Sequence, residues 1–229
     1  ADIVCLQEVC EPIAEGRGDP AANTAHVIAS RLGRKFEVHF EHSHIGFGRF
    51  LEGCAILSRV GFKRRESAYV SRSGDLNDIH ARKVVMGTIE FPYFGAVDIF
   101  SAHLSWWNGG FREQFERLRR WAEELRGPAT AGTLLCGDFN VPPGSEGYAL
   151  ATGGAGYEDQ FARAGVPSTR QGGAAAGPGE LRPEQHRLDH LLLRGGSSLQ
   201  AVAAREVFTE SDYGRVSDHA GYLVEFEPR

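Results

Sequence analysis

The sequence predicts an α/β protein in which two β-sheets pack face to face with helices outside. Many short apolar runs with strand character are separated by only two stretches of helical periodicity. The 229 residues are 41% hydrophobic, enough for a sizeable buried core. The 29 glycines fit a loop-rich α/β fold better than a helical bundle. Neither a repeat nor a linker is visible, so we expect residues 1–229 to form one domain.

The first half of the chain predicts one helix and five strands. Asp19-Pro20 is a good helix start, because Asp caps free backbone N–H groups and Pro fits the first turn. The helix would run to about Leu32, with Gly33 as its stop. The strands are Ile3–Gln7, the alternating run Lys35–Glu41, the apolar run Cys54–Leu57, and a hairpin of Lys83–Phe91 and Ala96–Ala102.

The second half predicts the clearest helix, Phe111–Arg126, whose apolar residues form one stripe and which Gly127-Pro128 ends. Gln171–Glu184 is rich in Gly, Ala and Pro and is typical of a mobile loop. The remaining strands are Thr133–Cys136, Leu188–Leu193, Ala201–Phe208 and Gly221–Phe226.

Composition excludes some classes of protein. No run approaches the ~20 apolar residues of a membrane span, so we expect no integral membrane protein. The net charge is −5, from 25 Lys and Arg against 30 Asp and Glu, which excludes a strongly basic nucleic-acid binder. The four cysteines form no C-x-x-C pair, which argues against a zinc ribbon and fits a reducing, cytoplasmic setting.

Acids, an amide and imidazoles stand where several core strands end, and rigid strand ends position catalytic groups well. Such a set suits a hard cation and a phosphate better than zinc. Alone, each residue also has a structural interpretation: a solvated strand end, an Asx turn, a hydrogen-bonded histidine or a helix cap. The residues are Glu8, His103, Asp138, Asn140, Asp189, Asp218 and His219.

Taken together, these segments resemble the endonuclease/exonuclease/phosphatase (DNase I-like) superfamily. The matching strings cover nearly the whole chain and occur in the family's order: LQEV, EGCAILSR, SAHL, GDFN, RLDHLLL and VSDH. The resemblance implies a four-layer α/β/β/α sandwich of two mixed β-sheets flanked by helices. It also implies hydrolysis of a phosphoester by in-line attack of water with Mg²⁺, or Mn²⁺, as cofactor.

The resemblance also implies a role for each matching residue. Glu8 and Asp218 would hold the metal. Asp138 would activate the attacking water or hold a second metal, and Asn140 would bind phosphoryl oxygens. Asp189 would orient His219, and Glu52 would orient His103 for transition-state stabilisation or proton donation. The family also carries an Asn on a strand before LQEV; the chain opens inside a strand-like run, so we expect a preceding segment to supply it.

A narrower similarity links IHARK, HLSWWN and VSDHAGYLVEF to the bacterial branch that contains maltose 6-phosphate phosphatase. Ser105 and the stretch after Asn108 depart from that branch, which leaves the sugar open. Trp106 and Trp107 could form a stacking wall for a sugar or a base, or one could pack in the core. Arg82 or Lys83 could clamp a phosphate, the other being solvated.

These features favour a small organic, sugar-type phosphomonoester as substrate. A nuclease is the first alternative, although the basic run Lys63-Arg64-Arg65 is more typical of a solubilising strand edge. A lipid-headgroup phosphodiesterase is the second, with Phe47–Leu51 as a candidate insertion loop. A non-catalytic scaffold of the same fold is the third; it has no reason to gather mutually repelling carboxylates.

Overall fold

The computed structural model describes residues 1–33, 35–154, 156–164, 187–214 and 216–229. The predicted loop Gln171–Glu184 lies outside them. The strands in the described part are β1 (Ile3–Ala14), β2 (Arg17–Gly18), β3 (Glu37–Gly46), β4 (Phe50–Ser58), β5 (Phe62–Tyr69), β6 (Lys83–Phe91), β7 (Gly95–His103), β8 (Thr130–Asp138), β9 (Tyr157–Asp159), β10 (Asp189–Arg194), β11 (Leu199–Val207) and β12 (Gly221–Pro228).

The helices are mostly short. They are α1 (Thr24–Arg31), α2 (Phe111–Leu125), α3 (Glu146–Ala149), α4 (Gln160–Arg163) and α5 (Glu210–Tyr213). Short 3-10 helices occupy Pro20–Ala22 and Trp107–Gly109, and a π-helical turn follows α3 at Leu150–Gly154. No helix of the described ranges is long and apolar enough to cross a membrane.

Two main sheets and one separate hairpin carry the strands. The order β2-β1-β4-β3 forms a four-stranded sheet whose pairs are all antiparallel. The order β5-β6-β7-β8-β10-β9 forms a six-stranded mixed sheet, in which β7 and β8 run parallel. Strands β11 and β12 pair with each other. Of the two mixed sheets implied by the resemblance, only the larger is mixed within the described residues.

The layers follow the predicted α/β/β/α order. One core joins α1 to the outer face of the four-stranded sheet, around Ala25 and Leu57. A second lies between the two sheets, where Ile56 meets Ile99. The third and largest packs α2 against the six-stranded sheet, with Phe115 and Leu118 at its centre. The helices therefore lie outside a sheet-on-sheet pair, which confirms the predicted fold class.

The predicted helix from Asp19 to Leu32 is divided in two. Asp19 caps only the 3-10 turn, through a bond from the backbone N of Ala21. Helix α1 begins after Asn23, whose fully buried side chain accepts from the backbone N of Ala25 and of His26 and donates to Glu11. The buried amide therefore makes a stronger cap than the exposed Asp-Pro pair, and Gly33 ends the helix with φ +65°.

The β3–β4 hairpin is longer than its apolar runs predict. β3 continues five residues past Glu41 to Gly46, and β4 begins at Phe50 instead of Cys54. The sequence missed these ends because polar residues and glycines interrupt the apolar pattern there, and the two strands close on a tight turn, where Phe47 adopts φ +52°. This extension matters, because it carries side chains of the four-stranded sheet to the edge where the functional residues collect.

Candidate active site

Strand register gathers three predicted residues in one row. His103 lies opposite Asp138 in the parallel β7–β8 pair. Asp138 lies opposite Asp189 in the antiparallel β8–β10 pair. The row stands at the end of the six-stranded sheet, where β7 and β8 finish and β10 begins. Three residues far apart in sequence therefore share one sheet edge because of backbone hydrogen bonding alone.

The segment after β8 is tightly constrained. Gly137 has φ +127°, and a Cβ there would lie 2.1 Å from the backbone oxygen of Ala102, so β7 and β8 come this close only with glycine. Asn140 adopts φ +52°, a strained conformation typical of functional positions. Its backbone N donates to Asp138 Oδ1 at 2.8 Å, and its Nδ2 donates to the backbone oxygen of Leu104 at 2.8 Å. The Asp138 carboxylate is thus fixed by its own loop.

Burial determines the protonation states of Asp138 and His103, which together form the β7–β8 wall of the site. Asp138 is 6% exposed, and burial together with the Asp189 carboxylate raises its pKa to about 7. His103 lies with Nε2 3.6 Å from Asp138 Oδ2. Burial, reinforced by the Arg82 charge, lowers the pKa of His103 to about 4. At neutral pH, His103 is therefore a neutral imidazole beside a carboxyl group able to exchange a proton.

A second wall, formed by Asp189 of β10 and the segment before β12, carries a histidine of opposite character. His219 Nδ1 lies 2.7 Å from Asp189 Oδ2, the pairing that the resemblance implied. The hydrogen bond to Asp189 raises the pKa of His219 to about 9. His219 is half-buried, so its other ring nitrogen is free to meet a substrate while the ring stays cationic at neutral pH.

Glu8 enters the site through a bulge. The β1–β4 register shifts between Leu6 and Val9, and Glu8 adopts φ +52° within that shift. Burial, Glu52 and Asp218 all raise its pKa, so its carboxylate stands near two others. Asp218 itself is exposed on the segment before β12. Gathered acids of this kind repel one another unless a cation lies among them.

The donor chemistry fits a hard divalent cation. Mg²⁺ binds oxygen, and one or two protein carboxylates suffice because water and substrate phosphate complete its octahedron. Glu8 and Asp218 supply such carboxylates. Across the described ranges no three His, Cys, Asp or Glu side chains converge in a geometry that would hold a metal by themselves. The residues present therefore match a partly hydrated ion better than a cage made of protein alone.

Glu52 takes a different partner from the one that the resemblance implied. Its Oε1 lies 3.4 Å from His44 Nε2, its cross-strand neighbour in the β3–β4 pair. The contact with His44 lowers the pKa of Glu52, while His103 acts on it only through space. The structure thus pairs His103 with Asp138 and Glu52 with His44. Sequence reasoning missed His44 because it placed the end of β3 at Glu41; the alternation Glu-His-Ser-His after that point was the available signal.

The structure separates the two basic candidates. Arg82 lines the site, with Nη1 held by the backbone oxygens of Ile79 and Ala81 at 2.8 and 3.1 Å. Lys83 turns the other way, where its Nζ lies 3.4 Å from Glu41 Oε2 and 4.7 Å from the ring centre of Tyr69. Arg82 precedes β6, and its backbone contacts hold it toward the site, whereas Lys83 is the first residue of the strand.

The two tryptophans also separate. Trp106 is 58% exposed and directly follows the wall that carries His103. Trp107 packs against the core beside Phe111, ring centres 6.0 Å apart, and Arg112 lies over its ring at 5.0 Å. Trp106 is therefore the residue of the pair that can offer a face to a ligand.

One sheet edge gathers a carboxylate–imidazole pair, a buried carboxyl of raised pKa, an arginine and neighbouring acids. Such a set of groups fits phosphate-ester chemistry. The chain matches the model of the Endonuclease/Exonuclease/phosphatase family over residues 1–219. It belongs to that family, and it is therefore an enzyme of the phosphoester-hydrolase class. A search of the curated proteins finds no match.

Solved structures share the fold. A family protein from Leptotrichia buccalis superposes with a TM-score of 0.80 at 22% identity, over 99% of this chain and 87% of that one. A mannosyl-6-phosphatase from Bacteroides thetaiotaomicron gives 0.66 at 17% identity, over 99% and 85%. D. rerio TDP2, complexed with single-strand DNA product, gives 0.65 at 20% identity, over 99% and 86%. At these identities the likeness shows the fold alone.

Proposed function

We propose that this enzyme hydrolyses small organic phosphomonoesters of the sugar-phosphate type. The observation that carries the proposal is the placement of positive charge. Arg82 lies inside the site, whereas several surface arginines that could follow a nucleic-acid backbone are paired with acids: Arg64 with Glu66, Arg65 with Glu37, Arg72 with Glu113, Arg163 with Glu158 and Arg194 with Glu123. With a net charge of −5, this distribution suits one phosphate better than a polyanion.

The reaction would use the two walls for different tasks. Asp138, aligned by the Asn140 backbone, would take the proton of the attacking water, since a pKa of about 7 lets it accept a proton near neutral pH. Cationic His219 would donate a hydrogen bond to a phosphoryl oxygen, with Asp189 holding the ring. Arg82 would add a fixed positive charge where negative charge develops. Asn140 would bind a phosphoryl oxygen through the amide proton that Leu104 does not take.

Glu8 and Asp218 would hold Mg²⁺, or Mn²⁺, in this site. When bound, the ion neutralises phosphoryl charge and lowers the pKa of a coordinated water. Trp106 would offer its exposed face to the organic part of the substrate. The Bacteroides neighbour named a mannosyl-6-phosphatase supports a sugar phosphate, and the neighbour with a DNA product keeps a nuclease as the competing function.

The deciding experiment measures phosphate release from sugar and nucleoside monophosphates with Mg²⁺, alongside supercoiled plasmid and RNA in the same buffer. We expect release from monoesters while plasmid and RNA remain intact. The Asp138→Asn protein, purified identically, controls for a contaminating phosphatase. Nicked plasmid or shortened RNA without monoester turnover would reverse the proposal in favour of a nuclease.

A further inference from the structure

Within the site lies a small cavity where the β3–β4 hairpin meets Arg82. Its volume is about 10 Å³, near the lower limit for one water-sized group. It is bounded by the backbone of the β3–β4 hairpin and by polar side chains from both sheets. Its charged or ionisable lining residues are Glu8, His44, Glu52, Cys54, Arg82 and His103.

Among the residues that the structure describes, two buried side-chain atoms of the lining residues have no hydrogen-bond partner. They are His44 Nδ1 and Arg82 Nε. His44 is 7% exposed, so bulk solvent contacts it little. Buried polar atoms without partners are uncommon and costly, so two of them in residues that line one cavity point to a ligand atom as their missing partner.

The two atoms have complementary characters. His44 Nε2 faces the Glu52 carboxylate at 3.4 Å, which places the proton of a neutral imidazole on Nε2 and leaves a lone pair on Nδ1. Arg82 Nε always carries a proton. The cavity thus offers one acceptor and one donor, the requirement that a hydroxyl group meets.

Charged ligand atoms fit less well. An anionic oxygen would meet the Nδ1 lone pair and the carboxylates of Glu8 and Glu52, all of which repel it. A cation would meet the Arg82 guanidinium. A neutral hydroxyl can donate to His44 Nδ1 and accept from Arg82 Nε. It adds no net charge to a cavity that is already lined by several charged side chains.

We propose that His44 and Arg82 form a pocket for a hydroxyl group of the substrate, so that the enzyme selects phosphomonoesters of polyols or sugars over those of plain alkyl chains. This inference rests on the proposed function, since it assigns a specificity to the same site. A water molecule could offer the same hydrogen bonds, and the experiment separates the two sources.

The test compares glycerol 1-phosphate with propyl phosphate, which has the same carbon chain and ester but no hydroxyl. For the wild-type enzyme with Mg²⁺, we expect kcat/KM to favour glycerol 1-phosphate at least about tenfold, as a site built around a substrate hydroxyl should. His44→Leu should reduce that preference at least about fivefold, because Leu has no acceptor. His44→Gln, which keeps a polar group, is a second variant in case the Leu protein does not fold.

His42→Leu is the matched control: it removes a half-buried histidine of the same strand that does not line the cavity. We expect it to keep the wild-type preference. Equal preference in the wild type and both His44 variants would overturn the pocket and assign the cavity to a structural water, while leaving monoester hydrolysis intact.

Binding separates this inference from the proposed function. Calorimetry on the Asp138→Asn protein compares the affinity for the two esters without turnover. If the wild-type enzyme hydrolyses neither ester but the Asp138→Asn protein binds glycerol 1-phosphate at least about tenfold more tightly, the function fails and the pocket stands. If affinities are also equal, both fail.

Discussion

The two walls of the site hold the same kinds of side chain in opposite electrostatic states. On the β7–β8 wall, a histidine and an aspartate are buried together, and burial favours their neutral forms. On the second wall, formed by β10 and the segment before β12, Asp189 and His219 are a hydrogen-bonded ion pair at the edge of solvent. His103 therefore has a pKa of about 4 and His219 one of about 9.

The comparison teaches that environment, not residue type, assigns the roles. A buried wall with a near-neutral carboxyl can exchange protons, whereas a paired and partly solvated wall can hold a permanent positive charge. Phosphoryl transfer needs both, because one group must accept a proton while another stabilises the anionic oxygens. The predictions below test this division, from the largest expected effect to the smallest.

Asp138→Asn should remove the proton-accepting group of the β7–β8 wall. We expect kcat to fall about 10³-fold, within the range for loss of a general base. The fold should be retained, and in metal-free buffer at pH 8 the melting temperature should rise. An acid whose pKa is raised on folding destabilises the fold when ionised, so its penalty is complete above about pH 7 and absent below its ordinary value. Full activity of the Asn protein would remove Asp138 from the mechanism.

Asp189→Asn should remove the carboxylate that keeps His219 protonated. We expect kcat to fall about 10²-fold, and the alkaline limb of the pH–rate profile to move from about 9 toward the ordinary histidine value, because the Asp189 hydrogen bond is the main cause of the raised pKa. The same pair stabilises the fold fully below about pH 6.5, and this contribution is lost as pH rises through about 9.

Thermal melting across pH checks that second effect: the Asn protein should lose less stability than the wild type between pH 6.5 and 9.5. Asp98→Asn is the comparison variant, since Asp98 is a buried strand carboxylate that accepts from Thr88 and Thr130, away from the catalytic row. An unmoved alkaline limb in Asp189→Asn would contradict the assignment of that limb to His219.

Trp106→Ala and Trp107→Ala extend the comparison of buried and exposed groups beyond the histidines. Trp106→Ala should raise KM for sugar phosphates about tenfold with little change in stability, because its exposed face is free to bind. Trp107→Ala should instead lower the free energy of unfolding by about 3 kcal/mol, as truncation of a core aromatic does. Inhibition kinetics and urea unfolding measure the two effects. A lower KM in Trp106→Ala would argue against a stacking role.

Mg²⁺ should stabilise the folded protein if Glu8 and Asp218 hold it. At a hundredfold excess over Kd we expect the melting temperature to rise by about 5 °C, since ligand binding to the folded state stabilises it by mass action. Asp218→Asn should reduce the rise, and Glu90→Gln, which removes an exposed carboxylate far from the site, should not. Identical shifts in all three proteins would show that the ion acts elsewhere.

Much of the fold could be predicted because hydrophobic periodicity determines it. Helix α2, the β6–β7 hairpin and the core strand β8 match the predicted elements to within a few residues at their ends. The start of α1 was wrong because a buried Asn cap outweighed an exposed Asp-Pro pair. Pattern alone does not show which capping residue the tertiary structure buries.

The sequence proposed candidate site residues that the structure brings near one sheet edge, but it did not give their pairing. Pairing depends on strand register and on where strands end, and the end of β3 is invisible in its apolar pattern. His44 was therefore missed, and Glu52 was assigned as the partner of His103. The two tryptophans are chemically identical in sequence, and only the packing of α2 distinguishes the buried one.

Titration of the histidine side chains by NMR tests the division between the walls most directly. Resonances of His103 and His219 would be assigned by His103→Gln and His219→Gln, then followed from pH 4 to pH 10 in the wild-type protein. The account predicts that His219 stays protonated until about pH 9 and that His103 stays neutral down to about pH 4. Two similar titrations near the ordinary value of about 6.5 would contradict it.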